Sequence, residues 1–156
     1  MTVAPEVIAS FRFGYGLTSA RGGPRDAAEV LAQLDAPDAA NAAYPMLPIA
    51  PRAAAIQRLR DAQRAARTTE NAASADAVKA AQRAVYRFGT EDLRTLILRP
   101  LTAEAGLRER LTAFWADHFT VQAKNAVLSA LIGDMINTAI RPHVMGKFST
   151  MLRAVA

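Results

Sequence analysis

Two histidines and their charged neighbours are the side chains of this sequence best suited to acid–base or metal chemistry. His118 follows Asp117 in the stretch FWADHFT, and His143 lies two residues after Arg141 in the stretch RPHVMG. All four could serve a catalytic site as proton donors, proton acceptors or charge-stabilising groups. A metal site is not predicted: His118 is the one ligand considered, and the HExxH spacing that sets two ligands on one helix face is missing.

The element that must position His118 is predicted as a helix that begins after an N-cap at Thr102 and ends near Phe119. At about 100° per residue, one face of this helix collects Leu107, Leu111, Phe114, Trp115 and His118. This stripe predicts that His118 and Trp115 are buried, with the histidine bonded to another element. Asp117 points about 100° away from His118, so the two neighbours cannot pair with each other.

The composition predicts an all-α fold. Of the 156 residues 51% are hydrophobic, and 35 are alanine, a strong helix former that buries little area. Runs of β-branched residues, which favour strands, are absent from the sequence. The chain has no cysteine, which excludes disulfides, thiolate nucleophiles and cysteine zinc sites. We therefore expect a single helical domain over residues 1–156, built as an irregular multi-helix bundle.

Glycine and proline mark the predicted ends of the helices. The glycine pair of FRFGYGL closes a short first helix, with its aromatic rings packed on the core, and Pro24 begins the second helix. A proline-rich, irregular connector is predicted over 37–51. Further helices are expected at about 52–67, 75–88, 90–100, 102–119 and 126–141, followed by a final amphipathic helix. The helix over 90–100 is predicted to have Thr90 as its N-cap and to end at Pro100. The apolar side chains on one face of that final helix are Phe148, Met151, Leu152 and Val155.

The segment 52–88 is predicted to form a protruding helical hairpin rich in alanine and arginine. Residues 52–110 carry twelve Lys or Arg against seven Asp or Glu, which accounts for the net charge of +5. The basic face could meet phosphates or acidic lipid, and its alternative role is to keep an alanine-rich surface soluble. Nucleic acid is not expected as a partner, because few aromatic rings that could stack on bases interleave the cations. These cations are Arg58, Arg60, Arg64, Arg67, Lys79, Arg83 and Arg87.

Three stretches together resemble a known family: FRFGYGL, RERLTAFWADHFTVQAKN and IRPHVMGKFSTMLRAVA. They are similar to the N-terminal part of the bacterial family called domain of unknown function 1800. Its members show a Phe-Trp-x-Asn-His-Phe segment followed by an Arg-Pro-His or similar stretch. Phe114, Trp115, His118 and Phe119 match that segment, and Asp117 stands where the family usually has Asn. We interpret the four matching residues as a structural motif. The resemblance implies a helical architecture and no settled activity.

The function expected is that of a binding or assembly module. The later motifs of the family are absent from the sequence, so we expect an N-terminal fragment without a complete active site. Its expected partner is the missing C-terminal part of its own chain or another protein, and the fragment could also associate with itself. The alternative is a fragment of a metal- or His-dependent enzyme whose other site residues follow residue 156. The cofactor of such an enzyme stays unknown.

The compartment expected is the cytoplasm, with export left open. The start MTVAPEVIASFRFGYG lacks the basic residues and apolar block of a secretory signal. No apolar run approaches the roughly 18–20 residues that a membrane-spanning helix requires.

Overall fold

The computed structural model describes residues 3–16, 23–69, 71–104 and 106–156. These ranges contain eight α-helices and no strand, which confirms the all-α prediction. The helices are α1 (Pro5–Phe13), α2 (Ala27–Asp35), α3 (Ala39–Ala43), α4 (Ile49–Thr68), α5 (Ala72–Thr102), α6 (Gly106–His118), α7 (Ala126–Met135) and α8 (Phe148–Val155). Nowhere in the described ranges is a helix long and apolar enough to cross a membrane.

Short polar side chains set the starts of three helices. Asp26 accepts a hydrogen bond from the backbone N–H of Glu29 at 2.9 Å, which satisfies one of the free donors at a helix start. Because Asp26 is the cap, α2 begins at Ala27, and the predicted start at Pro24 is wrong. The same capping contact is made by Asp38 for α3 and by Asn125 for α7.

The proline-rich segment 37–51 contains more helix than the sequence indicated. Its first half contains α3, whose five residues include four alanines and follow the Asp38 cap. Its last residues belong to the first turn of α4, which begins at Ile49. The expectation of an irregular connector over the whole segment is therefore wrong.

Helix α5 is longer than predicted, because it passes through two residues that were expected to interrupt it. Thr90 is not an N-cap; it lies inside the helix, where its hydroxyl donates to the Tyr86 carbonyl at 3.4 Å. Pro100 lies near the C-terminal end, within the helix. Thr102 is the last residue of α5, so its predicted role as the N-cap of the next helix is wrong too.

The chain is divided between two compact units. Unit 1 comprises Met1–Pro45, Thr95–Thr120 and Ala139–Ala156, and unit 2 comprises Met46–Arg94 and Val121–Thr138. The single domain over 1–156 stays a prediction.

Unit 2 contains a cluster of buried apolar side chains contributed by α4, α5 and α7. Its buried members are Ala55, Ile56, Leu59, Val85, Ala126 and Ala130. Half of them are alanine, whose small side chain lets helices approach closely. Helices α4 and α5 supply the predicted basic hairpin, and its residues Ala55, Ile56, Leu59 and Val85 belong to this cluster together with Ala126 and Ala130 of α7. That the hairpin protrudes stays a prediction.

Candidate functional site

Helix α6 turns its polar face towards the interior of unit 1. Glu109 and Thr112 are its buried residues, whereas the ring of Phe114 is 59% exposed. Trp115 is half-buried and His118 is exposed. The prediction that the apolar stripe of this helix is buried, with His118 inside it, is therefore wrong.

Arg141 is the reason for this inversion, because its buried guanidinium requires carboxylate partners. Its Nε and Nη2 each donate to one carboxylate oxygen of Asp38 at 2.6 Å, a bidentate pair. Its Nη1 donates to Oε2 of Glu109 at 3.0 Å, and its Nη2 also bonds Oε1 of Glu109. We call these three residues the Arg141 cluster. They join α6 to the residue that caps α3.

The Arg141 cluster carries a net negative charge, since two carboxylates share one guanidinium. Burial raises the pKa of Asp38, but hydrogen bonds from Arg141 and from the Asn41 N–H outweigh it and lower the pKa below its usual range. Burial lowers the pKa of Arg141, and the hydrogen bonds with Glu109 and Asp38 outweigh it and raise that pKa. Arg141 is therefore a permanent cation that can stabilise charge and cannot transfer a proton.

A change of helix type delivers Arg141 to this cluster. After α7, residues 136–140 form a π-helical turn, and residues 141–143 form a short 3-10 turn. Single π-helical turns are rare and occur often beside functional residues. The helix predicted over 126–141 is thus three consecutive helix types, and Arg141 lies in the third.

Five rings of unit 1 form a continuous aromatic cluster. It consists of Phe114, Trp115, His118, Phe119 and Phe148. The Phe148 ring, at the start of α8, stacks on Trp115 with centroids 5.2 Å apart and on Phe119 at 6.3 Å. The His118 ring meets Trp115 and Phe119 edge-on at 5.4 and 5.0 Å. These separations match the favourable geometries for aromatic pairs.

The aromatic cluster lies at the surface of unit 1. Phe114 and Phe148 are 59% and 48% exposed, and Leu152 beside them on α8 is 44% exposed. Met151 is the buried residue of α8, so the final helix packs through one residue of its apolar face and exposes others. A contiguous exposed apolar surface of this kind marks an interaction site more often than a chance arrangement.

The four residues considered for catalysis do not form one site. Arg141 is buried in its ion cluster, whereas His118 lies in the exposed aromatic cluster beside exposed Asp117. His143 is half-buried in the turn after Arg141. Neither imidazole makes a hydrogen bond within the described ranges. In the same ranges no three His, Cys, Asp or Glu side chains gather closely enough to hold a metal ion.

Sequence reasoning missed the two acids that hold Arg141. Asp38 lies within the segment predicted as a connector, and Glu109 has no predicted role. The signals in the sequence are local: Glu109 lies between two arginines in RERLTAFW, and Arg141 directly precedes a proline. None of these features names the partner, which is distant along the chain.

The glycine turn after α1 also differs from its prediction. Its rings are not packed on the core, since Phe11, Phe13 and Tyr15 are 63%, 41% and 49% exposed. Arg110 fixes the turn instead: its Nη1 donates to the carbonyls of Phe11 and Gly14 at 3.0 and 2.7 Å. Burial of the Tyr15 hydroxyl raises its pKa, and the nearby Arg110 charge partly opposes this.

A cavity of about 340 Å³ lies between this turn, the end of α5 and the start of α6. Ser10, Gln33 and Gly106 are among its lining residues. Its polar side chains already have partners, since the Ser10 hydroxyl donates to the Glu6 carbonyl and Gln33 Oε1 accepts from the Leu107 N–H. The cavity therefore offers a ligand few unpaired groups from these side chains.

Fold and site define the class as an all-α multi-helix protein whose unit 1 contains an exposed aromatic cluster and a buried arginine–carboxylate cluster. The chain belongs to the family described as Protein of unknown function (DUF1800), whose model matches residues 9–156. This match confirms the family resemblance found in the sequence. No curated protein and no solved structure matches the chain.

Proposed function

We propose that this chain is a protein-binding module and that the aromatic cluster is its recognition surface. The observation that carries the proposal is the inversion of α6, which buries Glu109 and Thr112 and leaves Phe114 59% exposed. Exposure of large rings has a cost in water, because apolar area that is left exposed gains no burial energy. A binding partner that covers the rings recovers this energy.

The cluster has the properties of a binding hot spot. Trp and other large aromatic side chains dominate the energy of protein interfaces, and each buries about 150–250 Å². Ring stacking between Phe148 and Trp115 holds the surface in one conformation before binding. Ring contacts of this kind restrict the side chains before binding, so less side-chain entropy is lost on association.

The partner that fits is a protein surface presenting apolar or aromatic side chains, either on another protein or on a second copy of this chain. Exposed Asp117 and Thr120 lie beside the rings and supply the polar rim that is typical of interfaces. The alternative, a metal- or histidine-dependent enzyme, gains no support from the hydrogen bonds described above, since neither imidazole makes one within the described ranges.

Site-specific photocrosslinking in the native cells tests the proposal. A photoreactive benzoylphenylalanine replaces Phe114 in one variant and Phe11 in a matched control, since Phe11 is 63% exposed in the same unit and outside the cluster. We expect a discrete protein adduct at position 114, either with another protein or with a second copy, and none of that mass at position 11. Adding Phe148→Ser should abolish the adduct.

The proposal is wrong if position 114 gives no adduct, or the same adducts as position 11. Once a partner is identified, the single tryptophan of the chain provides an independent readout. Trp115 fluorescence should shift on addition of the purified partner and should lose its quenching by acrylamide.

A further inference from the structure

We propose that one face of α5 in unit 2 binds membrane surfaces rich in anionic phospholipid. This α5 basic face consists of four cations, Lys79, Arg83, Arg87 and Arg94, and of two exposed apolar residues, Tyr86 and Leu93. It is separate from the aromatic cluster, which belongs to unit 1, so its test does not depend on the proposed function.

The spacing of the cations aligns them along the helix. Lys79, Arg83, Arg87 and Arg94 follow one another at intervals of four, four and seven residues, which keeps them within an arc of about 80°. At about 1.5 Å per residue they extend over roughly 22 Å of helix. All four are exposed. The result is a row of four positive charges on the outer face of the helix, beside the exposed carboxylates of Asp76 and Glu91.

The opposite face of α5 packs into the apolar cluster of unit 2. Val85 is fully buried there, and Val78 and Phe88 pack against the cluster. Asp92, the acid on that inner face, is buried and paired with Arg52 at 2.6 Å. Its negative charge is therefore neutralised and does not oppose an anion that approaches the outer face.

The cations of this face are available for an external partner. Arg83, Arg87 and Arg94 take part in no ion pair or side-chain hydrogen bond among the described residues. Lys79 lies 3.5 Å from Asp76, and both side chains are largely exposed, so this pair is weak. Three guanidinium groups can therefore bind phosphate oxygens without first breaking a contact.

Two exposed apolar side chains lie on the same face and favour lipid over nucleic acid. Tyr86 is 45% exposed. Leu93 lies about two helical turns further along α5 and is 58% exposed. Tyrosine prefers the boundary between headgroups and acyl chains, and leucine inserts below it. A nucleic acid offers the leucine no comparable apolar layer. A row of cations with interleaved apolar residues is typical of helices that lie on anionic membranes.

Vesicle sedimentation tests this proposal with the whole 156-residue chain. We expect binding to vesicles of equal parts phosphatidylglycerol and phosphatidylcholine, no binding to pure phosphatidylcholine, and release as salt is raised. Each cation near an anionic surface contributes roughly fivefold in partitioning, so Arg83→Gln with Arg87→Gln and Arg94→Gln should weaken binding on the order of 100-fold. Leu93→Ala should weaken it by about tenfold if the side chain inserts.

A control variant removes the same number of charges elsewhere. Arg12→Gln with Lys124→Gln and Arg153→Gln replaces three exposed cations outside the α5 basic face and should change binding by less than about fivefold. Equal losses in the two triple variants would overturn the proposal, because net charge alone would then explain the binding. Melting curves by circular dichroism verify that each variant is folded before it is compared.

Duplex DNA, supplied at the same phosphate concentration as the vesicles, tests whether the α5 basic face binds nucleic acid instead of lipid. The proposal predicts that DNA binds more weakly than the anionic vesicles and that Leu93→Ala affects vesicles alone. Tighter binding to DNA, together with no effect of Leu93→Ala on either ligand, would assign the face to nucleic acid and overturn the lipid proposal.

Discussion

Arg141 in unit 1 and Arg52 in unit 2 are both buried, 3% and 0% exposed, yet their partners differ. Arg52 binds a single acid: its Nη1 and Nη2 donate to the two carboxylate oxygens of Asp92 at 2.6 and 2.7 Å. Its Nη1 also donates to the Ala130 carbonyl at 2.6 Å, and its Nε donates to the Leu47 carbonyl at 3.0 Å. Arg141 binds two acids, Asp38 and Glu109, in place of carbonyls.

The difference is one of net charge. The Arg52 pair is neutral and lies beside an aliphatic cluster, whereas the three residues of the Arg141 cluster carry one excess negative charge, which the Arg108 charge near Asp38 partly offsets. A neutral pair can be replaced by apolar side chains of similar volume, because such a replacement removes both desolvation costs. A cluster with excess charge cannot, because removing the arginine and one acid leaves the other acid behind. The two regions should therefore respond differently to the same kinds of substitution.

The largest effect is expected from Arg141→Met. This change leaves the Glu109 side chain, 5% exposed, and the partly buried Asp38 without their cation. Leaving a buried charge unpaired costs about 3–5 kcal/mol, so the free energy of unfolding in urea should fall by that amount. Arg153→Met, at an exposed position, is the control and should stay within about 0.5 kcal/mol of the parent. Equal stability of the two variants would contradict the assigned role of Arg141.

Arg52→Met should cost slightly less, about 3 kcal/mol, because it strands a single carboxylate. Adding Asp92→Leu should restore most of the lost free energy of unfolding, because no unpaired carboxylate then remains. In unit 1 the matching double change, Arg141→Met with Glu109→Gln, should restore little, because Asp38 remains charged. Urea unfolding of the four variants measures both rescues. Equal recovery in the two units would remove the distinction between a neutral pair and a charged cluster.

Gly133→Ala should have a smaller but still measurable cost. A Cβ at this position of α7 would lie 2.1 Å from Oδ2 of Asp92, and that carboxylate is held by Arg52 and cannot easily move. Overpacking costs about 1–3 kcal/mol. The better helix propensity of alanine returns up to about 1 kcal/mol. Gly146→Ala is the control, because its Cβ would meet nothing closer than 3.6 Å. If both variants melt at the parent temperature, the carboxylate is not fixed as described.

The sequence was sufficient to predict the existence of most helices, because alanine content and apolar periodicity are local properties. The failures at helix ends were also local. Asp26 displaced the expected start at Pro24, since a side-chain cap determines where the first helical residue lies. Gly89 and Thr90 favour a break and a cap by their own propensity, but α5 continues through both because the residues on either side of them pack in one helix.

The orientation of α6 could not be predicted from periodicity. Its buried face is decided by Arg141, which lies 32 residues from Glu109 and 103 residues from Asp38. A helical wheel places charged Glu109 in solvent and apolar Phe114 in the core. Because Arg141 pairs with Glu109, the acid is buried and the ring is exposed. Arginine and carboxylate positions cannot be paired from one sequence when they are this far apart.

The pH dependence of the free energy of unfolding should reveal a smaller effect, which comes from Asp38 of the Arg141 cluster. The folded-state pKa of Asp38 is lowered, so its contribution is fully present above the unfolded value of about 3.9 and is lost as the pH falls through the folded pKa. Below about pH 4 the parent should therefore lose stability more steeply than Asp38→Asn, which has no carboxyl to protonate there. The loss should be smaller than that of Arg141→Met, because the Asp38 side chain is 25% exposed and Glu109 still binds the arginine. Parallel pH profiles of the two proteins would show that the Arg141 cluster does not titrate through Asp38.

The smallest effect is expected from Phe114→Ser, because the ring is 59% exposed on the outer face of α6. Its loss should change the free energy of unfolding by no more than about 0.5 kcal/mol, the usual range for surface positions. Met151→Ala, at a 2% exposed position of the same unit, should cost about 2–5 kcal/mol. Comparable losses at positions 114 and 151 would mean that the ring is structural after all. A negligible loss at 114, combined with loss of the Trp115 fluorescence response to the purified partner, would mean that unit 1 keeps this ring for binding and relies on Arg141 for folding.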